Sequence, residues 1–127
     1  MAEPKNFPAT FARLKKILQR YAKRLTVTVD KPDAYSLDAG YSEKFKRTMF
    51  FGAAQIKKNY VSLYLMPVYV FPDLLKDISP ALKKRMQGKS CFNFTAIDDA
   101  MVKEVAELTK QGFERYKAEG WLSEQLG

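Results

Sequence analysis

The sequence predicts an α+β fold: an antiparallel sheet of about five strands, with the N- and C-terminal helices packed on one face, a sandwich in a single domain over residues 1–127. Three observations predict it. A segment near each end repeats apolar residues every three or four positions, which is the helical period. Between these segments the period falls to two in several short β-branched or aromatic runs. One run, 60–66, has a wholly aliphatic side of Val61, Leu63 and Leu65, and each helix has one apolar stripe that can cover it.

The elements follow in order. Residues 1–6 read as a loose end. Phe7, Phe11, Leu14, Ile17, Leu18, Tyr21 and Leu25 keep helical spacing, which predicts a first helix over 10–24. Its other face carries Arg13, Lys15, Lys16, Arg20, Lys23 and Arg24 without a carboxylate. Residues 25–29 alternate as a strand, 30–33 turn at Pro32, and 35–39 alternate again. Residues 46–56 make a third strand, in which Gly52 marks a bulge or a close backbone approach. After a turn at 57–59, the 60–66 strand stops at Pro67. Short helices are expected at 71–76 and 79–86, the second with Ser79 as its N-cap, Pro80 at the first helical position and Gly88 just past its end. A strand at 90–94 follows. Residues 95–98 resemble a capping box, and the last helix runs over 98–119, with Gly120 ending it and Trp121 and Leu122 folding back on the core.

Composition excludes much chemistry. The chain has no histidine, so histidine acid–base catalysis, Ser-His-Asp and Cys-His nucleophiles and histidine metal sites are ruled out. One cysteine, Cys91, makes neither an intramolecular disulfide nor a thiolate zinc site, and fits a reducing, cytoplasmic setting. It reads as a buried, inert thiol. No apolar run approaches the roughly 20 residues of a membrane span, and 1–11 lacks the apolar core of a signal peptide. The expectation is a binding protein and not an enzyme, with no cofactor and no metal.

Charge points to the partner. The net charge of +8 is uneven: 1–24 holds seven basic residues and one acidic, whereas 95–127 holds four basic and seven acidic. Such a field steers anionic partners, although it also serves solubility. The candidate anion-binding surface is Arg13, Lys16 and Arg20 of the first helix with Lys83, Lys84 and Arg85. The candidate ligand-binding residues are Tyr60, Ser62, Tyr64, Lys89 and Asn93. They alternate away from the aliphatic side of their strands, with Lys57 and Lys58 beside them, and aromatic side chains with a basic rim suit an anion. The partner classes are an anionic small molecule, nucleic acid or an acidic protein, with no membrane. A plainer reading makes the tyrosines the cap of a secondary core.

The segment 58–116 resembles the YdhG-like family of small bacterial domains of unknown function. The resemblance rests on Tyr60 through Tyr69, on Ile78-Ser79-Pro80, on Leu82 through Phe94, and on the closing helix. The run Gly88-Lys89-Ser90-Cys91-Phe92-Asn93-Phe94 is its most specific part. It implies a frataxin-like α+β sandwich, and some members are described as intracellular iron chaperones. That makes a frataxin-type iron chaperone the alternative function, with carboxylates drawn from Asp98, Asp99, Glu104 and Glu107.

Overall fold

The computed structural model describes residues 6–122; the loose end expected at 1–6 lies almost wholly outside them. The order is α1 (Phe7–Gln19), β1 (Thr26–Lys31), β2 (Ala34–Ser42), β3 (Arg47–Ile56), β4 (Val61–Leu65), α2 (Met66–Val70), a 3₁₀ turn (Pro72–Leu75), α3 (Pro80–Lys83), β5 (Cys91–Phe94) and α4 (Asp99–Ala118). The five strands form one antiparallel sheet in the order β1-β2-β3-β4-β5, so every strand lies beside its neighbour in sequence. The α+β architecture with helices at both ends is as the sequence predicts. Among the described residues, no helix is long and apolar enough to cross a membrane.

Register sorts the residues onto two faces. On one face Tyr35 pairs with Ala54, Ala54 with Leu63, and Leu63 with Phe92. Leu37, Gly52 and Leu65 make the next row. This face is apolar and covered by helices: Leu37, Val61, Leu63, Leu65, Phe92 and Phe94 are all buried. Burying each such side chain stabilises the fold by roughly 1.5–3 kcal/mol. α1 lies directly on Gly52, where a Cβ would sit 2.9 Å from the Tyr64 carbonyl oxygen and 3.3 Å from the Leu18 side chain. Only glycine allows that approach. A bulge follows at once, because Leu37 pairs with Gly52 while Asp38 pairs with Phe50. Phe51 is thus the extra residue, and its ring enters the helix side among Tyr21, Phe113 and Tyr116.

α1 starts three residues before the expected 10–24 span and ends earlier. Asn6 is its N-cap, accepting from the Ala9 N–H at 3.1 Å. After Gln19 the backbone bonds shorten to three-residue spacing, as in Tyr21 N–H to Leu18 O. This tighter winding carries Tyr21 onto the Phe113 ring, at 4.7 Å between centroids, and the Arg24 guanidinium over the same ring.

The segment after β4 differs from expectation. Pro67 does not merely stop the strand; it sits in the first turn of α2, where its missing N–H costs no bond. The short helix expected at 71–76 is the 3₁₀ turn Pro72–Leu75. α3 keeps Ser79 as its N-cap, and Glu104 of α4 accepts from both the Ser79 N–H and its hydroxyl at 2.6 Å. The N-cap of α4 is Asp98 itself, accepting from the Met101 N–H at 2.8 Å, and not Thr95 at the head of the expected box. A carboxylate there also meets the positive end of a long helix dipole.

At the other end of α4, Gly120 takes φ +77° and the Trp121 N–H reaches back to the Tyr116 carbonyl. This paired C-terminal turn folds Trp121 onto Tyr116, Phe71 and Phe45, as expected for a residue returning to the core. The Trp121 carbonyl then accepts from the Gly40 N–H.

The two sheet edges differ. β1 is broken by a bulge between Val27 and Val29. β5 has its outer edge occupied: the Asn93 N–H donates to the Arg85 carbonyl, and the Gln87 N–H to the Cys91 carbonyl.

Candidate functional site

Because α1 and α4 lie on one face, side chains of alternate parity cover the other face themselves. Register sets them in rows. Ala34, Gln55, Ser62 and Asn93 form one row, and Val29, Ser36, Ala53, Tyr64 and Cys91 form the next. A third row holds Thr26, Asp38 and Phe50. Small residues fill the middle, and Ala53 and Ser62 are buried beneath their larger neighbours.

Ser62 and Asn93 face each other across β4 and β5, and the Ser62 hydroxyl donates to Asn93 Oδ1 at 2.7 Å. The Cys91 thiol points at the same oxygen from 3.3 Å. With Oδ1 taken by two donors, the Asn93 amide N–H groups are what this side chain has left to offer a ligand. Tyr64 stands in the adjacent row, with the Lys57 ammonium 6.0 Å from its ring centroid. The surface is therefore rich in donors: amide, phenol and ammonium. Its carboxylate is Asp38, which burial pushes above the usual range while nearby Arg47 pulls it back.

Burial also raises the Cys91 thiol, against smaller opposing effects of Ser62, Tyr64 and Lys57. A raised, hydrogen-bonded thiol is mostly protonated at neutral pH and a poor nucleophile. Iodoacetamide is therefore expected to modify Cys91 more slowly in the folded protein than in urea. Equal rates in the two states would show that neither burial nor Asn93 restrains it.

The predicted ligand residues separate. Ser62, Tyr64 and Asn93 lie together on this face. Tyr60 is exposed and precedes β4, in the turn closed by the Lys57 N–H to Tyr60 carbonyl bond. Lys89 is exposed on the approach to β5 and borders a different cleft, with Met86, Leu75 and Val68. Gln55, Ser36 and Asp38 belong to the face but were not among the candidates. The alternation of Tyr35 and Leu37 with Ser36 and Asp38 is the signal that identifies two of them.

The predicted cations separate too. α1 sits on the covered side, so its exposed Lys16 and Arg20 look away from the sheet. Arg13 is engaged by Asp99 and by the Ile97 carbonyl. Lys15, not among the predicted cations, reaches Asp30 at 3.0 Å. Lys83, Lys84 and Arg85 are exposed on and after α3, which is anchored to α4.

The four carboxylates named for iron already hold partners. Asp98 caps α4, Asp99 pairs with Arg13, Glu104 holds Ser79, and Glu107 accepts from Gln111 at 3.3 Å. Among the described residues, no three His, Cys, Asp or Glu side chains converge as a metal site. Comparison with protein-family models, with curated proteins and with solved structures gives no match.

Proposed function

We propose that this protein is a non-enzymatic cytoplasmic binding module that takes an anionic ligand or an acidic partner on its uncovered sheet face. The observation that carries the reading is the Ser62–Asn93–Cys91 network, which occupies Asn93 Oδ1 and leaves its amide donors for a ligand, with Tyr64 in the adjacent row and the Lys57 ammonium by its ring. The cations of α1 act at longer range, raising the approach rate of a negative partner. The reading keeps the resemblance to YdhG-like domains, which rests on the sequence run Gly88 through Phe94. A single cysteine, too few for an intramolecular disulfide, fits a reducing compartment.

Heparin chromatography tests the proposal. The expected result is retention at low ionic strength that disappears in moderate salt. Lys57→Glu combined with Asn93→Leu should weaken retention more than Lys16→Glu combined with Arg20→Glu. The reverse ranking would move the site to α1, and no retention would remove the anion reading. The alternative, a frataxin-type iron chaperone, predicts heat above the buffer control when ferrous iron is titrated in a calorimeter. It would require Asp98, Asp99, Glu104 and Glu107 to leave the partners they now hold.

A further inference from the structure

The uncovered face ends in a groove. Phe50, opposite Asp38 in the last row, forms its floor. Met66, Tyr69 and Val70 of α2 line it together with Phe45, Arg47 and Met49, around a volume of about 190 Å³. Two of these rings are well exposed, Phe45 at 42% and Tyr69 at 54%. An exposed aromatic cluster lining a concave site costs solvation in the free protein and marks a place where something binds.

The lip of the groove is cationic. The turn between β2 and β3 carries Lys44 and Lys46, and Arg47 opens β3, against one carboxylate in this stretch, Glu43, which lies 3.7 Å from Lys46. Lys44 sits over the Phe45 ring, 5.6 Å from its centroid. Lys46 adopts φ +57°, a left-handed conformation that non-glycine residues seldom take. Asp38 lies near Arg47 and offsets part of its charge.

We propose that this groove receives one large apolar side chain from an acidic peptide segment of a partner protein, while Arg47 and the lysines of the turn receive the flanking carboxylates. The inference rests on the reading of the partner as acidic, and it names the partner's chemistry. Charge complementarity selects the acidic flanks. The walls select the anchor: thioether and aliphatic groups adapt to an inserted side chain, whereas stacked bases need a flat, open aromatic platform.

The test uses the full chain labelled uniformly with ¹⁵N and with [methyl-¹³C]methionine, because Met49 and Met66 line the groove while Met86 and Met101 do not. Three short synthetic peptides are titrated: aspartate and glutamate around a central phenylalanine, the same peptide with alanine at the centre, and a neutral version with asparagine and glutamine around phenylalanine. The first should move the Met49 and Met66 methyl signals and leave that of Met101 in place. Alanine at the centre should weaken binding roughly ten- to a hundredfold. Tyr69→Ala, at an exposed position, and Arg47→Glu should each weaken it about tenfold. Equal binding of the phenylalanine and alanine peptides overturns the groove. Equal binding of the neutral peptide overturns the acidic flanks. A single-stranded oligonucleotide that shifts the same methyls more strongly overturns the choice of peptide. Shifts confined to the Cys91 and Asn93 amides overturn the groove but leave the sheet-face reading standing. No binding by any probe overturns both.

Discussion

Phe51→Ala is expected to cost the fold about 3–5 kcal/mol. Phe51 is fully buried, and its ring lies 5.7 to 6.2 Å, between centroids, from the rings of Tyr21, Phe113 and Tyr116. Those three rings belong to the tail of α1 and to α4, so one side chain joins β3 to both long helices. The neighbours have little freedom to close over the space left behind. Tyr116 is fixed by its hydroxyl, which donates to the Phe50 carbonyl at 2.8 Å. Tyr21 and Phe113 are stacked on each other. Urea unfolding followed by far-ultraviolet circular dichroism measures the change. A loss below about 1 kcal/mol, the centre of the distribution for ordinary substitutions, would mean that the aromatic cluster is not the joint described.

Leu63→Ala is expected to cost about 2–5 kcal/mol, and Tyr64→Ala less. The two residues are adjacent in β4 and face opposite ways. Leu63 is 1% exposed between Ala54 and Phe92 on the helix-covered face. Tyr64 is half-buried on the open face, where water can fill the space its ring leaves. The comparison tests the assignment of faces, because both substitutions sit in one strand and share its backbone. A scan in which Tyr64 outweighs Leu63 would place the covered side on the wrong face, and the proposed site would fall with it.

The sheet was legible in the sequence because alternation is a local signal. Val61, Leu63 and Leu65 announce their side without knowledge of any partner. The helical stripe of α4 and the return of Trp121 after Gly120 are legible for the same reason. α2 was not. Met66-Pro67-Val68-Tyr69-Val70 is rich in β-branched and aromatic residues, and its helical turn is set by tertiary contact. Buried Pro67 lies where any Cβ on Gly112 would meet its ring, at 2.8 Å. The end of α1 was hidden likewise, since Tyr21 leaves the helical path to stack on a residue far along the chain.

The candidate site was legible in part. Parity gives Ser62 and Tyr64 one side, but the pairing of Ser62 with Asn93 depends on the register of β4 against β5. The cations show the limit of composition. Counting charge predicts a basic first helix, yet only the packing of α1 reveals that Lys16 and Arg20 point away from the open face. Arg13 meets a carboxylate 86 positions away, which no local pattern announces.

The two edges of the sheet bear on how copies of this chain meet at high concentration. A strand edge with free N–H and carbonyl groups is a template for another molecule's strand, and that is how sheet proteins begin to aggregate. Here the β5 edge is closed from within the chain by Arg85 and Gln87. The β1 edge is open but six residues long, bent by its bulge and finished by Asp30 and Lys31. A second copy approaching it meets a strand whose ladder is interrupted by a bulge, with charges at its end. A protein with one sheet face left uncovered by helices can thus keep that face exposed without its sheets growing into one another.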